Sequence, residues 1–332
     1  MQRVQTPSSI TAPTPDTAPW RIGDVAIGGD LILAPMAGFS DQPFRRICRE
    51  MGSAISYTPC AVDRAVLADS DEADRTYAFH ASERPVAIQL LSREPALLAE
   101  AAKRLVEIFQ PDLIDLNLGC PSRRVAGGGR GAALLQKPGR IGQLVTTLAN
   151  AVPIPITAKI RLGWDASSRN HVEVARTLQD AGAQAIAVHG RTKEQAYAGQ
   201  ADWDAIAEVA ASVQVPVIAN GDVRSVADID RILRHTGGRA VMIGRGAVGN
   251  PWLFSRRDLD TVSIQERLAV MERHLRMMAE LAGERHGTIC FRKHLVKYMR
   301  GVPNAARMRG ELMRPESPDE LVAALHAWAA SI

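Results

Sequence analysis

The chain has 332 residues, of which 46% are hydrophobic and 23% charged, and its formal net charge is +4. These values are ordinary for a globular protein and leave room for more than one average domain. No run of about 18 apolar residues occurs, so we expect no membrane-spanning helix and no membrane partner.

The N-terminus is rich in Thr and Pro and lacks the apolar core of a signal peptide, so residues 1–20 are predicted to form a flexible tail. The cysteines are widely spaced and form neither a CxxC pair nor a zinc pattern. This spacing predicts free thiols, a cytoplasmic location and no metal site. The cysteines are Cys48, Cys60, Cys120 and Cys290.

Eight short apolar runs recur along the chain, separated by stretches with helical periodicity. Continuous apolar strands are typical of a parallel sheet that is buried on both faces. Eight such units predict an α/β fold, a (β/α)8 TIM barrel over residues 21–255, with an open doubly wound sheet as the alternative. The predicted strands are Leu31–Met36, Ala54–Thr58, Val86–Leu90, Leu113–Asn117, Ile156–Ile160, Ala185–His189, Val215–Asn220 and Ala240–Gly244.

After Phe254 the strand signals stop, and residues 256–332 are predicted to form a small all-α helical bundle domain. Ser263 and Glu266 form a capping box that begins a helix ending near Gly283. Ser317, followed by Pro318 and Glu320, predicts a second capping box at the start of the last helix.

Polar side chains and glycines cluster at the predicted carboxyl ends of seven of the eight strands. In TIM barrels the active site lies at this face. One such residue could be a structural accident, but the recurrence predicts a shared site. The candidates are Pro35, Met36, Ala37, Gln89, Asn117, Lys159, Arg161, His189, Asn220, Gly221, Asp222, Gly244 and Arg245.

The turns after the seventh and eighth strands occupy the usual phosphate position of these barrels. Backbone N–H groups near Gly221 and Gly244 could bind a phosphate, and Arg245 could add charge; the alternative is that both glycines only shape tight turns. Gly244, Gly246 and Gly249 form a GxGxxG pattern, but it follows the last strand, so we reject a Rossmann fold. A single phosphate position favours FMN over FAD or NAD.

Lys159 lies on an otherwise apolar strand and needs a reason to point inward. It could stabilise a reduced flavin near its N1–C2=O edge, or act as a Schiff-base lysine. Gln89 could pair with the imide edge of the flavin ring, and His189 could contact the ring or its phosphate. A purely structural role is an equally good interpretation of each residue alone.

Cys120 lies in a Gly-Cys-Pro turn just past the fourth strand and before the glycine-rich loop Gly127–Gly131. A thiol at the barrel mouth could serve as an acid or a nucleophile. Buried inert thiols are the usual state of cysteine, and this interpretation fits the other cysteines better.

Basic residues are concentrated near the C-terminus, where residues 285–314 contain eight Lys or Arg and one acidic residue, Glu311. Acidic partners are thus expected to be almost absent. Arg292, Lys293, Lys297 and Arg300 would fill one helix sector about 140° wide. Such a face can bind the phosphates of a nucleic acid, although a solvated basic face is the alternative.

Taken together, the motifs resemble the bacterial tRNA-dihydrouridine synthases, and the B-type branch most closely. The resemblance covers roughly residues 25–315, and the order and spacing of its motifs match. The matching segments are Ala34–Gly38 with Asp41 and Pro43–Arg45, Asn117–Pro121 with the glycine loop, Lys159–Arg161 with Gly163–Trp164, Val188–Thr192, Asn220–Asp222, Gly244–Gly246 with Pro251–Trp252, and Arg292–Leu295.

The resemblance implies FMN at the barrel mouth, NADPH as reductant, and hydride transfer from flavin N5 to C6 of a uridine flipped out of tRNA. Cys120 matches the cysteine that protonates C5. Asn117 and Arg161 would contact the uracil, and the helical domain would bind tRNA through its basic face. The residues that match FMN contacts are Pro35, Met36, Ala37, Gln89, Lys159, His189, Asn220, Gly221, Asp222, Gly244 and Arg245.

One departure is Pro59-Cys60, which stands where many relatives have Glu-Met. We expect a monomer. Two alternatives stay open: a flavin barrel that reduces a free pyrimidine, and an RNA-binding protein without catalysis. The first has no use for a basic helical domain, and the second would tolerate the loss of Cys120 and Lys159.

Overall fold

A computed structural model describes residues 19–68, 76–302 and 305–330. Within these ranges, eight parallel strands form a continuous path in the order β3-β11-β10-β9-β8-β7-β6-β4. The strands are β1 Trp20–Ile22, β2 Val25–Ile27, β3 Leu31–Leu33, β4 Ser56–Tyr57, β5 Ala61–Val62, β6 Val86–Leu91, β7 Leu113–Leu118, β8 Ile156–Arg161, β9 Ala185–His189, β10 Val217–Asn220 and β11 Ala240–Ile243.

The two ends of this path meet and close the predicted barrel. The backbone N–H of Ala54 donates to the Leu31 carbonyl at 2.7 Å, which joins the first and last strands of the path. The alternative of an open sheet is therefore wrong. The first two strands are shorter than predicted, and β5, which pairs with β6, was not predicted. Pro35 and Pro59 explain the breaks, because proline cannot donate to a strand ladder.

The helices cover the outside of the barrel, where the apolar side chains of alternate strand positions pack against them. Inward-facing positions near the amino ends of the strands are mostly small or aliphatic. No helix in the described ranges is long and apolar enough to cross a membrane. The helices around the barrel are α1 Gln42–Glu50, α2 Asp63–Leu67, α3 Pro95–Phe109, α4 Arg123–Gly127, α5 Pro138–Ala151, α6 His171–Asp180, α7 Trp203–Ser212 and α8 Val226–Thr236.

A β-hairpin, β1–β2, closes the amino end of the barrel and was not predicted. Trp20, Ile22 and Ile27 are buried with the inward-facing residues of the strands. The indole N–H of Trp20 donates to the Gly29 carbonyl at 2.8 Å. Trp20 therefore belongs to the folded protein and not to the predicted tail, of which residues 1–18 lie outside the described ranges.

The C-terminal helical region consists of α9 Ile264–Ala282, α10 Glu284–Tyr298, α11 Ala305–Leu312 and α12 Pro318–Ala329, which share an apolar core of their own. The capping box of Ser263 and Glu266 is confirmed. Ser317 caps α12 by accepting from the Glu320 N–H. Among the described contacts Glu320 returns no bond, so this second cap is not the predicted capping box.

Asp41 joins the helical region to the barrel. Its side chain caps α1 by accepting from the Phe44 N–H at 3.2 Å. It also lies 3.0 Å from His294 Nε2 and 3.2 Å from Lys293 Nζ, both on α10. Burial alone would raise the pKa of Asp41, but the nearby His274 imidazole and the hydrogen bond from His294 lower it well below its usual range.

Candidate active site

A cavity of about 430 Å³ opens at the carboxyl ends of the barrel strands, within the usual size range of ligand sites. The structure brings every barrel residue predicted for the site into its wall. These residues are Pro35, Met36, Ala37, Gln89, Asn117, Cys120, Lys159, Arg161, His189, Asn220, Gly221, Asp222, Gly244 and Arg245.

Strand register explains why these side chains meet. Asn117 is paired with Lys159, and Arg161 is paired with His189, which also faces Asn220 on the next strand. Because side chains on one strand alternate between the two faces, residues paired in this way all point into the barrel. The polar positions near the strand ends therefore form one continuous inner layer.

A buried carboxylate, Asp115, lies beneath this layer and was missed by the sequence prediction. It accepts from Gln89 Nε2 at 2.7 Å and from Thr157 Oγ1 at 2.6 Å. Burial raises the pKa of Asp115 to about 6. A carboxylate on an apolar strand is the same signal that marked Lys159, so Asp115 could have been found from the sequence.

Gln89 and Asn117 form a chain of amide hydrogen bonds that ends at the predicted catalytic turn. Asn117 Nδ2 donates to Gln89 Oε1 at 2.7 Å. Asn117 Oδ1 accepts from the N–H groups of Gly119 at 3.1 Å and Cys120 at 2.9 Å. Gln89 keeps one N–H and one lone pair for a ligand. Asn117 thus holds the backbone that carries the Cys120 thiol.

Lys159 points into the cavity and donates from Nζ to Asn220 Oδ1 at 3.0 Å. Asn220 is oriented by its own bond to the Met242 carbonyl at 2.7 Å. Burial, reinforced by the nearby charge of Arg161, lowers the pKa of Lys159 to about 7. An anionic ligand would restore its charge, because an opposite charge nearby favours the protonated form.

His189 and Asp222 are tied together by Arg191, which was not predicted for the site. The Arg191 guanidinium lies 2.6 Å from Asp222 Oδ2 and 3.4 Å from His189 Nε2. Burial and the surrounding cations hold the pKa of His189 far below its usual range, so its imidazole is neutral. The Asp222 carboxylate is used within the protein, which leaves mainly its backbone to contact a ligand.

The predicted phosphate turns combine glycine geometry with exposed charge. Gly221 has φ of +136°, and a Cβ there would lie 2.6 Å from the Ala201 Cβ, so the turn requires glycine. Arg224 and Arg245 also line the cavity. A Cβ at Gly249 would lie 2.3 Å from the Lys297 carbonyl carbon. This glycine of the GxGxxG pattern therefore allows the barrel and α10 to approach closely.

Two cysteines line the cavity, Cys60 and the predicted Cys120. Burial raises the pKa of the Cys60 thiol, and the nearby Cys120 adds to the shift. The segment predicted as a glycine-rich loop is only partly a loop. Its start lies in α4, and the 3-10 helix Gly131–Gln136 follows it. In α4 the Ala126 N–H donates to the Ser122 carbonyl at 2.9 Å.

The four basic residues of the predicted RNA-binding face have different surroundings. Arg292 donates to the Pro315 carbonyl at 3.0 Å, and Lys293 pairs with Asp41. Lys297 and Arg300 line one surface groove, although Arg300 lies beyond the end of α10.

The expectation that acidic partners are almost absent is wrong. Asp41 pairs with Lys293, and Glu316 lies 2.7 Å from Arg285. These partners come from segments outside the basic stretch, so the local sequence could not reveal them.

Asp41, His274 and His294 could hold a metal ion by the distances between their donor atoms, which lie within 4.8 Å of one another. The Lys293 ammonium already contacts Asp41, and His274 Nδ1 lies 3.1 Å from the Tyr298 hydroxyl. A lysine cation beside the carboxylate opposes a second cation there. We therefore describe this cluster as a polar junction between the barrel and the helical region.

A barrel whose cavity combines a buried lysine, amides and a thiol at the carboxyl ends of its strands has the architecture of a TIM-barrel enzyme. The family model described as Dihydrouridine synthase (Dus) matches residues 32–331. The chain belongs to this family of oxidoreductases, which confirms the predicted resemblance.

Similar proteins support the B-type branch. The tRNA-dihydrouridine synthase B of Pseudomonas aeruginosa is 35% identical over 93% of this chain and 96% of its own. That of Xanthomonas axonopodis pv. citri is 36% identical over 91% of this chain and 93% of its own. A solved histamine dehydrogenase from Rhizobium sp. 4-9 shares the fold, with a TM-score of 0.55 and 15% identity over 84% of this chain and 50% of that chain.

Proposed function

We propose that this protein reduces the C5–C6 double bond of uridines in tRNA to dihydrouridine, with FMN as cofactor and NADPH as reductant. The observation that carries the proposal is that Lys159 and Cys120 line one barrel cavity in a member of the dihydrouridine synthase family. With tRNA as substrate, we expect the enzyme to act in the cytoplasm as a monomer.

The cavity residues fit FMN at both of its ends. Lys159 offers a cation and Gln89 an amide edge for the polar rim of a flavin ring. Gly221, Arg224 and Arg245 offer a turn and two guanidinium groups for a phosphate. Pro35, Met36, Ala37 and Gly244 would complete the wall. Bound FMN, once reduced by NADPH, would supply the hydride for C6 of the uracil.

The remaining step is protonation at C5, which we assign to the Cys120 thiol. Asn117 holds the backbone N–H of Cys120 and faces the cavity, so it can position both the thiol and the uracil. A uridine must leave its stack to enter such a cavity, and a base without stable pairing does so at the lowest cost. Of the four basic residues predicted to bind the tRNA backbone, we assign this role to Lys297 and Arg300, which line an open groove.

The direct test is analysis of the purified protein. We expect one non-covalent FMN per chain, identified by chromatography after heat release, and dihydrouridine in unmodified tRNA after incubation with NADPH. FAD in place of FMN, or no flavin after reconstitution, would contradict the cofactor assignment. Reduction of free uridine as fast as tRNA would instead favour a free-pyrimidine enzyme.

Cys120→Ala tests the assigned acid. We expect turnover on tRNA to fall about 10²- to 10⁴-fold, the usual contribution of general acid catalysis, with FMN content and flavin reduction by NADPH unchanged. Cys290→Ala is the matched control, because Cys290 lies on α10 outside the cavity. Full activity of Cys120→Ala would overturn the assignment, and Cys60→Ala would then be tested as the source of the proton.

A further inference from the structure

Tyr197 is a large aromatic side chain that lines the cavity and is nevertheless 55% exposed. Ile108 and Leu281 are the other large apolar side chains with high exposure among the described residues, and neither lines this cavity. An exposed ring contributes little to the stability of a fold through burial. Stabilisation by burial therefore does not explain why this ring lies at the cavity rim.

The loop that carries Tyr197 is held by two buried arginines. Arg161 donates from one guanidinium nitrogen to the carbonyls of Thr192 at 2.9 Å and Ala196 at 2.8 Å. Arg191 donates to the carbonyl of Ala198 at 3.0 Å and to that of Gly199 at 2.6 Å. The carbonyls on both sides of Tyr197 are thus fixed from inside the barrel.

The backbone just before Tyr197 is strained. Ala196 has φ of +46°, in the left-handed region that costs energy for a residue with a Cβ. Such strain persists only where the surroundings impose it, and it is concentrated at functional sites. Here the hydrogen bonds from Arg161 and Arg191 to the flanking carbonyls hold this conformation.

The charges around the ring favour a nucleotide. The guanidinium carbons of Arg245 and Arg161 lie 4.7 Å and 5.5 Å from the centroid of Tyr197. Arg161 also donates to the carbonyl of Gly119 at 2.8 Å, so it links the Tyr197 loop to the turn that carries Cys120. Both guanidinium groups lie over the ring, and an aromatic ring that is exposed at a cationic cavity mouth is suited to stacking with a nucleobase.

We propose that Tyr197 is a stacking platform for a nucleobase of the RNA substrate at the entrance of the cavity. This inference rests on the proposed function and adds a specific binding contact to it. The ring of a buried cofactor is a less suitable occupant, because Lys159 and Gln89 face the interior whereas Tyr197 is exposed at the rim. Arg161, which is expected to contact the uracil, also holds the Tyr197 loop in place through its bonds to Thr192 and Ala196.

The test compares Tyr197→Phe, Tyr197→Leu and Tyr197→Ala in the FMN-loaded enzyme. Loss of one base–aromatic stack should raise KM for tRNA by about 5- to 100-fold in the Leu and Ala variants, while Phe retains the ring and stays near the wild type. Flavin reduction by NADPH without tRNA, followed by stopped-flow absorbance, should not change. Ile108→Ala is the control for removing an exposed apolar side chain remote from the cavity.

The outcomes separate the possibilities. Unchanged KM for tRNA in Tyr197→Leu, or an equal defect in Tyr197→Phe, would overturn the proposal. Slower flavin reduction by NADPH would assign the ring to the reductant, and loss of FMN would assign it to the cofactor; either result also overturns it. If the wild type forms no dihydrouridine in tRNA, the proposed function fails, which is a separate result from a failed variant comparison.

Discussion

Inside the barrel, Asp115 and Lys159 illustrate how burial tunes single side chains. Burial raises the pKa of Asp115 to about 6 and lowers that of Lys159 to about 7. Each group opposes the shift of the other, since opposite charges favour ionisation. Near neutral pH a small change in surroundings can therefore alter the protonation of either group. A bound anion would favour the protonated form of Lys159.

Asp115→Asn should reveal this balance as a pH-dependent difference in stability. The folded wild type keeps its proton up to a pKa of about 6, whereas an unfolded aspartate loses it near a pKa of about 3.9. The free energy of unfolding of the wild type relative to Asp115→Asn should thus fall as pH rises from about 4 to 6, by roughly 1–3 kcal/mol.

Urea unfolding of the cofactor-free proteins at several pH values measures this difference. Asp228→Asn is a useful control, because the pKa of the half-buried Asp228 carboxyl is lowered, which predicts the opposite sign. A constant difference in the free energy of unfolding between wild type and Asp115→Asn across this pH range would show that the pKa of Asp115 is not raised by folding.

Between elements, the junction at Asp41 determines where the helical region lies relative to the site. Asp41 caps α1 three residues after Gly38, which follows the cavity residues Met36 and Ala37. On its other side it contacts His294 and Lys293 of α10. One carboxylate therefore connects a wall of the cavity to the proposed RNA-binding region.

Asp41→Asn separates the N-cap of α1 from the charged contact with α10, because asparagine is also a good N-cap but lacks the charge. We expect a loss of stability of about 1.5–3 kcal/mol, the range for hydrogen bonds to charged groups. Hydrogen exchange should become faster in α9 and α10, while FMN content stays unchanged. Asp202→Asn, at the cap of α7, is the matched control. Equal hydrogen-exchange rates in α9 and α10 of both variants would contradict the role of Asp41 in joining α10 to the barrel.

Across the whole molecule, positive charge is concentrated near the C-terminus, but part of it is already paired within the folded protein. Residues 285–314 hold eight basic residues, yet Lys293 and Arg285 have acidic partners and Arg292 is bonded to backbone carbonyls. Lys297 and Arg300 remain in an open groove with Arg309. The surface available to an RNA backbone is therefore smaller than the sequence count suggests.

Lys297→Glu should weaken tRNA binding and lower the slope of log affinity against log salt by roughly one unit, the effect of one lost phosphate contact. Flavin reduction without tRNA should not change, because the groove lies outside the cavity. Filter binding at several salt concentrations measures the slope. Lys103→Glu on α3 makes the same charge change elsewhere on the surface. Equal slopes for both variants would place the RNA elsewhere.

The sequence by itself determined the barrel and most of its cavity. Continuous apolar strands report burial on both faces, and Lys159 or Asn220 stands out because a polar side chain at a strand end has few structural reasons to be there. Such signals are local, since each strand carries its own pattern. They also identified the family, because motif order and spacing are properties of the chain.

Only the tertiary structure decided which polar groups are already paired and which are left for a ligand. Asp222 and Lys293 each meet a partner distant in sequence, and the hairpin at Trp20 is stable only against the barrel interior. Tyr197 could not be distinguished locally, because its loop has no periodic pattern. Its significance comes from the folded loop, whose carbonyls are bonded to Arg191 within the loop and to Arg161 on the neighbouring strand β8.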